Sequence, residues 1–125
     1  MEETVLAKMI GIMFMSRTYS HMAHLKTASF SKHKALNEFY DGIVDLADTL
    51  AEASQGKYGK LDIPFMDMNE DVEDPITGLK KHLTMLENLG KKIDDSYLEN
   101  IFQEIQALYR KTLYLMVEQI GRAHV

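Results

Sequence analysis

Apolar side chains recur along this chain at three- and four-residue steps in four separate stretches, the spacing that lays a stripe along one side of an α-helix. The first stretch runs from about Glu3 to His24, with Leu6, Met9, Ile10, Met13, Arg17, Ser20 and His24 on one side. That side is apolar early and turns polar near its end. A break follows at Lys26 to Phe30, where Ser29 or Ser31 can cap the next helix. The second helix carries Leu36, Phe39, Ile43, Leu46, Ala47 and Leu50 inward and runs to about Gln55, with Gly56 as its expected stop. Asp74-Pro75 predicts a third start, a cap followed by proline at the first helical position. Its stripe is Ile76, Leu79, Leu83, Leu86 and Leu89, ending at Gly90. Ser96 with Glu99 reads as a capping box for a fourth helix, whose stripe is Leu98, Ile101, Ile105, Leu108, Leu115 and Met116, with Tyr109 and Tyr114 alongside.

Between the second and third stretches, Gly56, Gly59 and Pro64 and then Asp67, Glu70, Asp71 and Glu73 show little helical period. A connection this long is uncommon in a compact domain and is usually functional or flexible. Hairpin, long connection, hairpin is the organisation of an all-α four-helix bundle. The acidic run Asp67 to Asp74 lacks the glycine an EF-hand needs at its sharp turn, so it reads as solvated. His82, beside the third leucine stripe, is expected to be partly buried and hydrogen-bonded. Met9, Met13, Met15 and Met22 crowd the first helix, as core or interface packing.

At 125 residues, 46% hydrophobic and 26% charged, the chain is one soluble globular domain, placed at 1–119. The last six residues, Ile120 to Val125, look like a translated sequencing adapter, so 120–125 is expected to be an artefact replacing the native C-terminus, and His124 is not read as a ligand. The absence of cysteine excludes disulfides and thiolate metal sites and fits a reducing compartment. Glu2 and Glu3 open the chain where a secretory signal would carry basic charge. Lys8, Arg17 and His21 interrupt the apolar runs far short of the roughly 20 residues that span a bilayer. The expected location is the cytoplasm, that of the host cell if the gene is phage-encoded. A net charge of −5 with scattered lysine and arginine disfavours DNA binding, which draws its affinity from clustered cations.

On the second helix His33, Asn37, Asp41, Asp48 and Glu52 fall within about 100° of one another, a polar strip beside the apolar face. The stretch from His21 through Ser29-Phe30-Ser31-Lys32-His33-Lys34-Ala35-Leu36-Asn37 to Asp48-Thr49-Leu50-Ala51-Glu52 resembles the ferroxidase signature of the Dps branch of the ferritin-like superfamily. It is similar, more closely, to uncharacterised tailed-phage proteins with an SF-x-x-H-x-A-L-x-x-F-Y-D pattern. The resemblance implies a ferritin-like, oligomeric fold and a di-iron site shared across a two-fold dimer, with His21 and His33 from one subunit and Asp48 and Glu52 from its partner. Fe(II) would be oxidised there by peroxide or oxygen, a possible ferroxidase activity, and a larger shell or ring would store the product. His33 and Glu52 lie 19 residues apart, roughly 28 Å along a helix, so one helix cannot bring both to a single metal pair. Two such helices packed antiparallel can.

Asn37 stands where the family has an aspartate, and an amide is a poorer ligand for a hard cation; Asp41, one turn on, could substitute. His24 shares a side of the first helix with His21 and competes for the role of first histidine, although either taken singly reads as a surface residue. No Glu-x-x-His pair exists, so the ordinary ferritin site is excluded. The alternative is a non-catalytic helical oligomer that sequesters a small anionic ligand such as a nucleotide immune signal, with Arg17, Tyr19, Lys26, Lys32 and Lys34 supplying charge and stacking. A third reading is a dimer or ring with no ligand.

Overall fold

The computed structural model describes residues 1–67 and 69–123, with side chains as far as Val117; Met68, His124 and Val125, and so the end of the adapter-like tail, lie outside the described residues. Four helices form: α1 (Glu2–Lys26), α2 (Phe30–Tyr58), α3 (Pro75–Gly90) and α4 (Ser96–Ala123). No strand occurs among the described residues.

Local chemistry sets the boundaries. The Ser29 side chain accepts from the Lys32 N–H at 3.1 Å and opens α2. Asp74 caps α3 through the Thr77 N–H at 3.3 Å, with Pro75 beginning the first turn. Two boundary expectations are corrected. The helix α2 does not stop at Gly56; it runs to Tyr58 and stops at Gly59, whose φ of 84° only glycine adopts without strain. Tyr58 earns its extra turn by hydrogen-bonding Glu2 on α1. Similarly, the cap of α4 is Asp95 rather than a Ser96/Glu99 box, since Asp95 Oδ1 accepts from the N–H groups of Tyr97 at 2.9 Å and Leu98 at 3.1 Å.

Each helix touches two neighbours: α1 packs on α2 and α3, and α4 packs on α2 and α3, so α1 and α4 sit diagonally opposite. Directions follow from the contacts at each end. Glu2 meets Tyr58 and the backbone of Asp94 and Asp95, which places the start of α1, the end of α2 and the α3–α4 turn at one end. Tyr19 and Lys26 meet Asp71, Glu73 and Asp74 at the other. Thus α1 and α4 run one way and α2 and α3 the other. The connection between α2 and α3 therefore climbs the length of the bundle.

The core holds the expected stripes: Leu6, Met9, Ile10, Met13, Leu36, Phe39, Ile43, Leu50, Leu79, Leu86, Ile105 and Met116 are fully buried. At roughly 1.5–3 kcal/mol for each large apolar side chain, their burial is the main force holding the bundle. Arg17, where the α1 stripe turns polar, is exposed. The connection also departs from a solvated loop. Pro64 and Met66 lie against α1 at Gly11, where an added Cβ would come 2.7 Å from the Pro64 carbonyl oxygen.

Helix α3 approaches α1 closely because Gly78 has no side chain; a Cβ there would land on the Tyr19 ring and hydroxyl. Gly78→Ala is therefore expected to displace Tyr19 and lower stability by about 1–3 kcal/mol, a loss of several degrees in a melting experiment. An unchanged melting temperature would show that the α1–α3 contact yields freely.

Candidate functional site

The α1–α2 hairpin gathers most of the candidate ligands at one end of the bundle. His24, near the end of α1, and His33, in the first turns of α2, stack with ring centroids 3.6 Å apart and planes 24° from parallel. His24 Nδ1 lies 2.7 Å from the His33 carbonyl, and His33 Nδ1 lies 2.9 Å from the His24 carbonyl. A carbonyl only accepts, so both rings carry a proton on Nδ1, and the neutral form of each has its lone pair on Nε2. The His24 carbonyl belongs to the last turn of α1, where helical partners run out, so the clasp also satisfies a helix end. His24 is buried, which corrects the expectation of a surface residue; His21 and His33 are half-buried.

Tyr40, which spacing alone did not single out, joins these residues. Its ring stacks on His21 at 4.2 Å between centroids and meets His24 edge-on at 5.3 Å. Its hydroxyl donates to Asn37 Oδ1 at 2.7 Å, while Asn37 Nδ2 donates to Asp41 Oδ2 at 3.2 Å. His21, His24, His33, Asn37 and Asp41 thus form one connected cluster around Tyr40. Asp48 and Glu52 are not part of it. Both are exposed further along α2, and Glu52 lies about 16 Å of helix beyond Asp41. Within one chain, no group of three or more His, Asp or Glu side chains able to hold a metal ion occurs among the described residues.

A second polar system is sealed inside the bundle. Ser16, His82, Tyr19 and Tyr109 are all buried at 0% exposure. Tyr109 donates to Ser16 Oγ at 2.6 Å, Ser16 Oγ lies 2.8 Å from His82 Nδ1, and His82 Nε2 lies 3.3 Å from Glu70 Oε2. The last approach is close enough for charge attraction but is off the line of a sound hydrogen bond, so His82 Nε2 has no proper hydrogen-bond partner. Burial pushes both tyrosine hydroxyls well above the usual phenol range. Desolvation lowers the His82 pKa despite the attraction of Glu70, while the desolvation of Glu70 is outweighed by His82 and backbone N–H groups together, which leaves its carboxyl below the usual range. Ser16, His82 and Glu70 have the composition of a hydrolytic triad, but a serine sealed from solvent cannot meet a substrate.

This system corrects two sequence expectations. His82 is wholly rather than partly buried, and the acidic run is not simply solvated, because the Glu70 side chain is 10% exposed and turned inward. Tyr19, offered as a stacking group for an anionic ligand, is buried with its hydroxyl donating to the Asp71 and Asp74 carbonyls at 2.7 and 3.0 Å. Lys26, offered as a cation for the same ligand, pairs with Glu73 at 3.4 Å.

Residues 24–116 match the model of a family of unknown function, DUF5856. The chain belongs to this family. It is also 23% identical over 108 residues to an uncharacterized 14.6 kDa protein from the mobD-ri intergenic region of Enterobacteria phage T4, an alignment covering 86% of this chain and 84% of the phage protein. No solved structure matches the chain. The DUF5856 match begins at His24 and takes in both clasp histidines, Tyr40, the acids of α2 and His82. No helix among the described residues is long and apolar enough to cross a membrane.

Because each clasp histidine bonds the other's backbone, the pair acts as one unit. His24→Ala and His33→Ala are each expected to cost about 1–2 kcal/mol in urea unfolding, and the double variant less than the sum. Strictly additive losses would show that the two rings stabilise the hairpin independently.

Proposed function

We propose that this DUF5856 protein is a Dps-like iron-binding protein whose metal site forms between two copies paired through the outer faces of α1 and α2. The observation that carries this reading is the division of donors on α2: oriented imidazoles at its start, exposed carboxylates Asp48 and Glu52 towards its end, and roughly 28 Å of helix from His33 to Glu52. An antiparallel pair of α2 helices places the start of one beside the acids of the other. Charge favours that pairing, since Lys32 and Lys34 flank His33 while Asp45, Asp48 and Glu52 occupy the opposite half. Phe14, Met22 and Leu25 on the neighbouring outer side of α1 are exposed at 39%, 44% and 71%, and would supply apolar area. The up, down, down, up order with one long crossover is also the connectivity of ferritin-like bundles.

In this reading His33 presents Nε2 from a ring fixed through Nδ1–H to a carbonyl, the arrangement usual for a metal-bound histidine. His21 is the first-histidine candidate, because it is half-buried where His24 is buried at 7% exposure. Asn37, tied to both Tyr40 and Asp41, orients the Asp41 carboxylate, the anionic donor one turn further along α2. Fe(II), held as substrate by imidazoles and carboxylates, would lose an electron to peroxide or oxygen. The rival reading, an anion-sequestering oligomer, is weakened by the burial of Tyr19 and the pairing of Lys26.

Elemental analysis with native mass spectrometry tests the proposal. The wild-type protein loaded with Fe(II) is expected as a dimer, or a multiple of one, that retains iron, and Asp48→Ala and Glu52→Ala are each expected to lose it while staying oligomeric. A monomeric wild type, or unchanged iron content in both variants, would overturn the reading.

A further inference from the structure

The sealed polar system lies at the last part of the crossover, and its donor and acceptor logic is specific to one protonation state. If Nε2 of His82 carried a lone pair, it would face the Glu70 carboxylate oxygen at 3.3 Å, acceptor against acceptor. The proton therefore sits on Nε2, and Nδ1 accepts from Ser16, which itself accepts from Tyr109. Hydrogen bonds thus run in one direction from Tyr109 through Ser16 to His82, with the His82 N–H facing Glu70. A second proton on Nδ1 would oppose the Ser16 hydroxyl, forcing that proton to turn away while Ser16 already accepts from Tyr109.

We propose that His82 is the acid-sensitive latch that fixes the Glu70–Asp74 end of the crossover, and with it the start of α3, against α1. In the latched state Glu70 faces His82, and the Tyr19 hydroxyl holds the Asp71 and Asp74 carbonyls. A charged His82, at 0% exposure, has no free acceptor at Nδ1 and a single poorly aligned partner at Nε2. Lifting Glu70–Asp74 off the bundle hydrates the imidazolium, so added protons favour the lifted state.

Every element around His82 contributes to this balance. Its own helix α3 brings Lys81, which opposes a second positive charge and also pairs with Glu70 at 3.6 Å. The connection brings Glu70, the one facing anion. Helix α1 brings the neutral Ser16 and Tyr19, whose ring meets His82 edge-on at 5.2 Å between centroids, and α4 brings neutral Tyr109 through Ser16. One carboxylate therefore faces two cationic positions once His82 is charged. The sign of the effect is fixed: a histidine whose folded pKa is depressed contributes stability above its unfolded value of about 6.5, and that contribution is lost as pH falls below it. Glu70, also depressed, adds the same sign only below about 4.5, so a window from pH 7.5 to 5.5 isolates the histidine.

The latch is independent of any metal chemistry, and hydrogen exchange of the full chain tests it. Amides of Glu73, Asp74 and Thr77, which are hydrogen-bonded in the latched state, serve as reporters. After correction for intrinsic exchange, their protection is expected to fall by more than twofold and at most about tenfold between pH 7.5 and 5.5, while amides in the middle of α2 and α4 change less than twofold. His82→Gln, which can accept from Ser16 but gains no proton in this range, should abolish the fall. Glu70→Gln should retain it, and so carries the test if His82→Gln does not fold. The proposal is overturned if the wild-type reporters do not respond, if all helices lose protection together, if His82→Gln keeps the response, or if Glu70→Gln loses it.

Discussion

The architecture turns on one constraint: α2 and α3 run the same way, so the chain must climb the whole bundle between them. An extended segment makes no helical hydrogen bonds of its own, and its polar backbone must find partners as it crosses an apolar surface. Tyr19 answers this by reaching from α1 to two carbonyls of the connection, and Glu70 reaches back inward to His82. The bundle accepts a polar centre at this end because of that need. Burying two tyrosines, a serine and a histidine costs several kcal/mol unless their polar atoms are partnered, and here nearly all of them are.

At the opposite end the same problem is solved with charge. Glu2 accepts from the Tyr58 hydroxyl and from the backbone N–H groups of Asp94 and Asp95, and Lys57 bridges Glu2 and Asp95 at 3.5 and 2.9 Å. The Tyr58 hydrogen bond holds the Glu2 carboxyl below its usual range. One residue thereby ties the start of α1 to the end of α2 and to the α3–α4 turn. With both ends fastened, α1 and α2 are held to the rest of the bundle at each of their termini.

What the sequence discloses depends on whether the cause is periodic. The leucine stripe of α3, the Leu36 to Leu50 face of α2 and the Asp74-Pro75 start are local and repeat in the chain, so they can be read directly. Asp95 could have been found as a cap from its place two residues before Tyr97, but the Ser96/Glu99 pair matches a known box and masked it. Of the Tyr109, Ser16, His82 and Glu70 system only a hydrogen-bonded His82 beside the leucine stripe was legible, because its members lie up to 93 residues apart and only the fold brings them together. His24 was misjudged for a related reason. A histidine at a helix end looks solvated until the following helix folds back and offers it a carbonyl.

The two histidine systems make opposite use of the same side chain, and that difference separates structure from chemistry. In the core, His82 keeps its proton on Nε2 and spends Nδ1 on Ser16, so neither nitrogen is available to a ligand. In the hairpin, His24 and His33 keep theirs on Nδ1 and spend it on backbone carbonyls, leaving both Nε2 lone pairs unspent. The clasp rings lie 24° from parallel, and among the described residues no group of three or more His, Asp or Glu side chains of one chain is placed to hold a metal ion. Asp48 and Glu52 are exposed carboxylates on the same helix as His33, roughly 22 and 28 Å along it, so one chain alone does not bring them to its imidazoles.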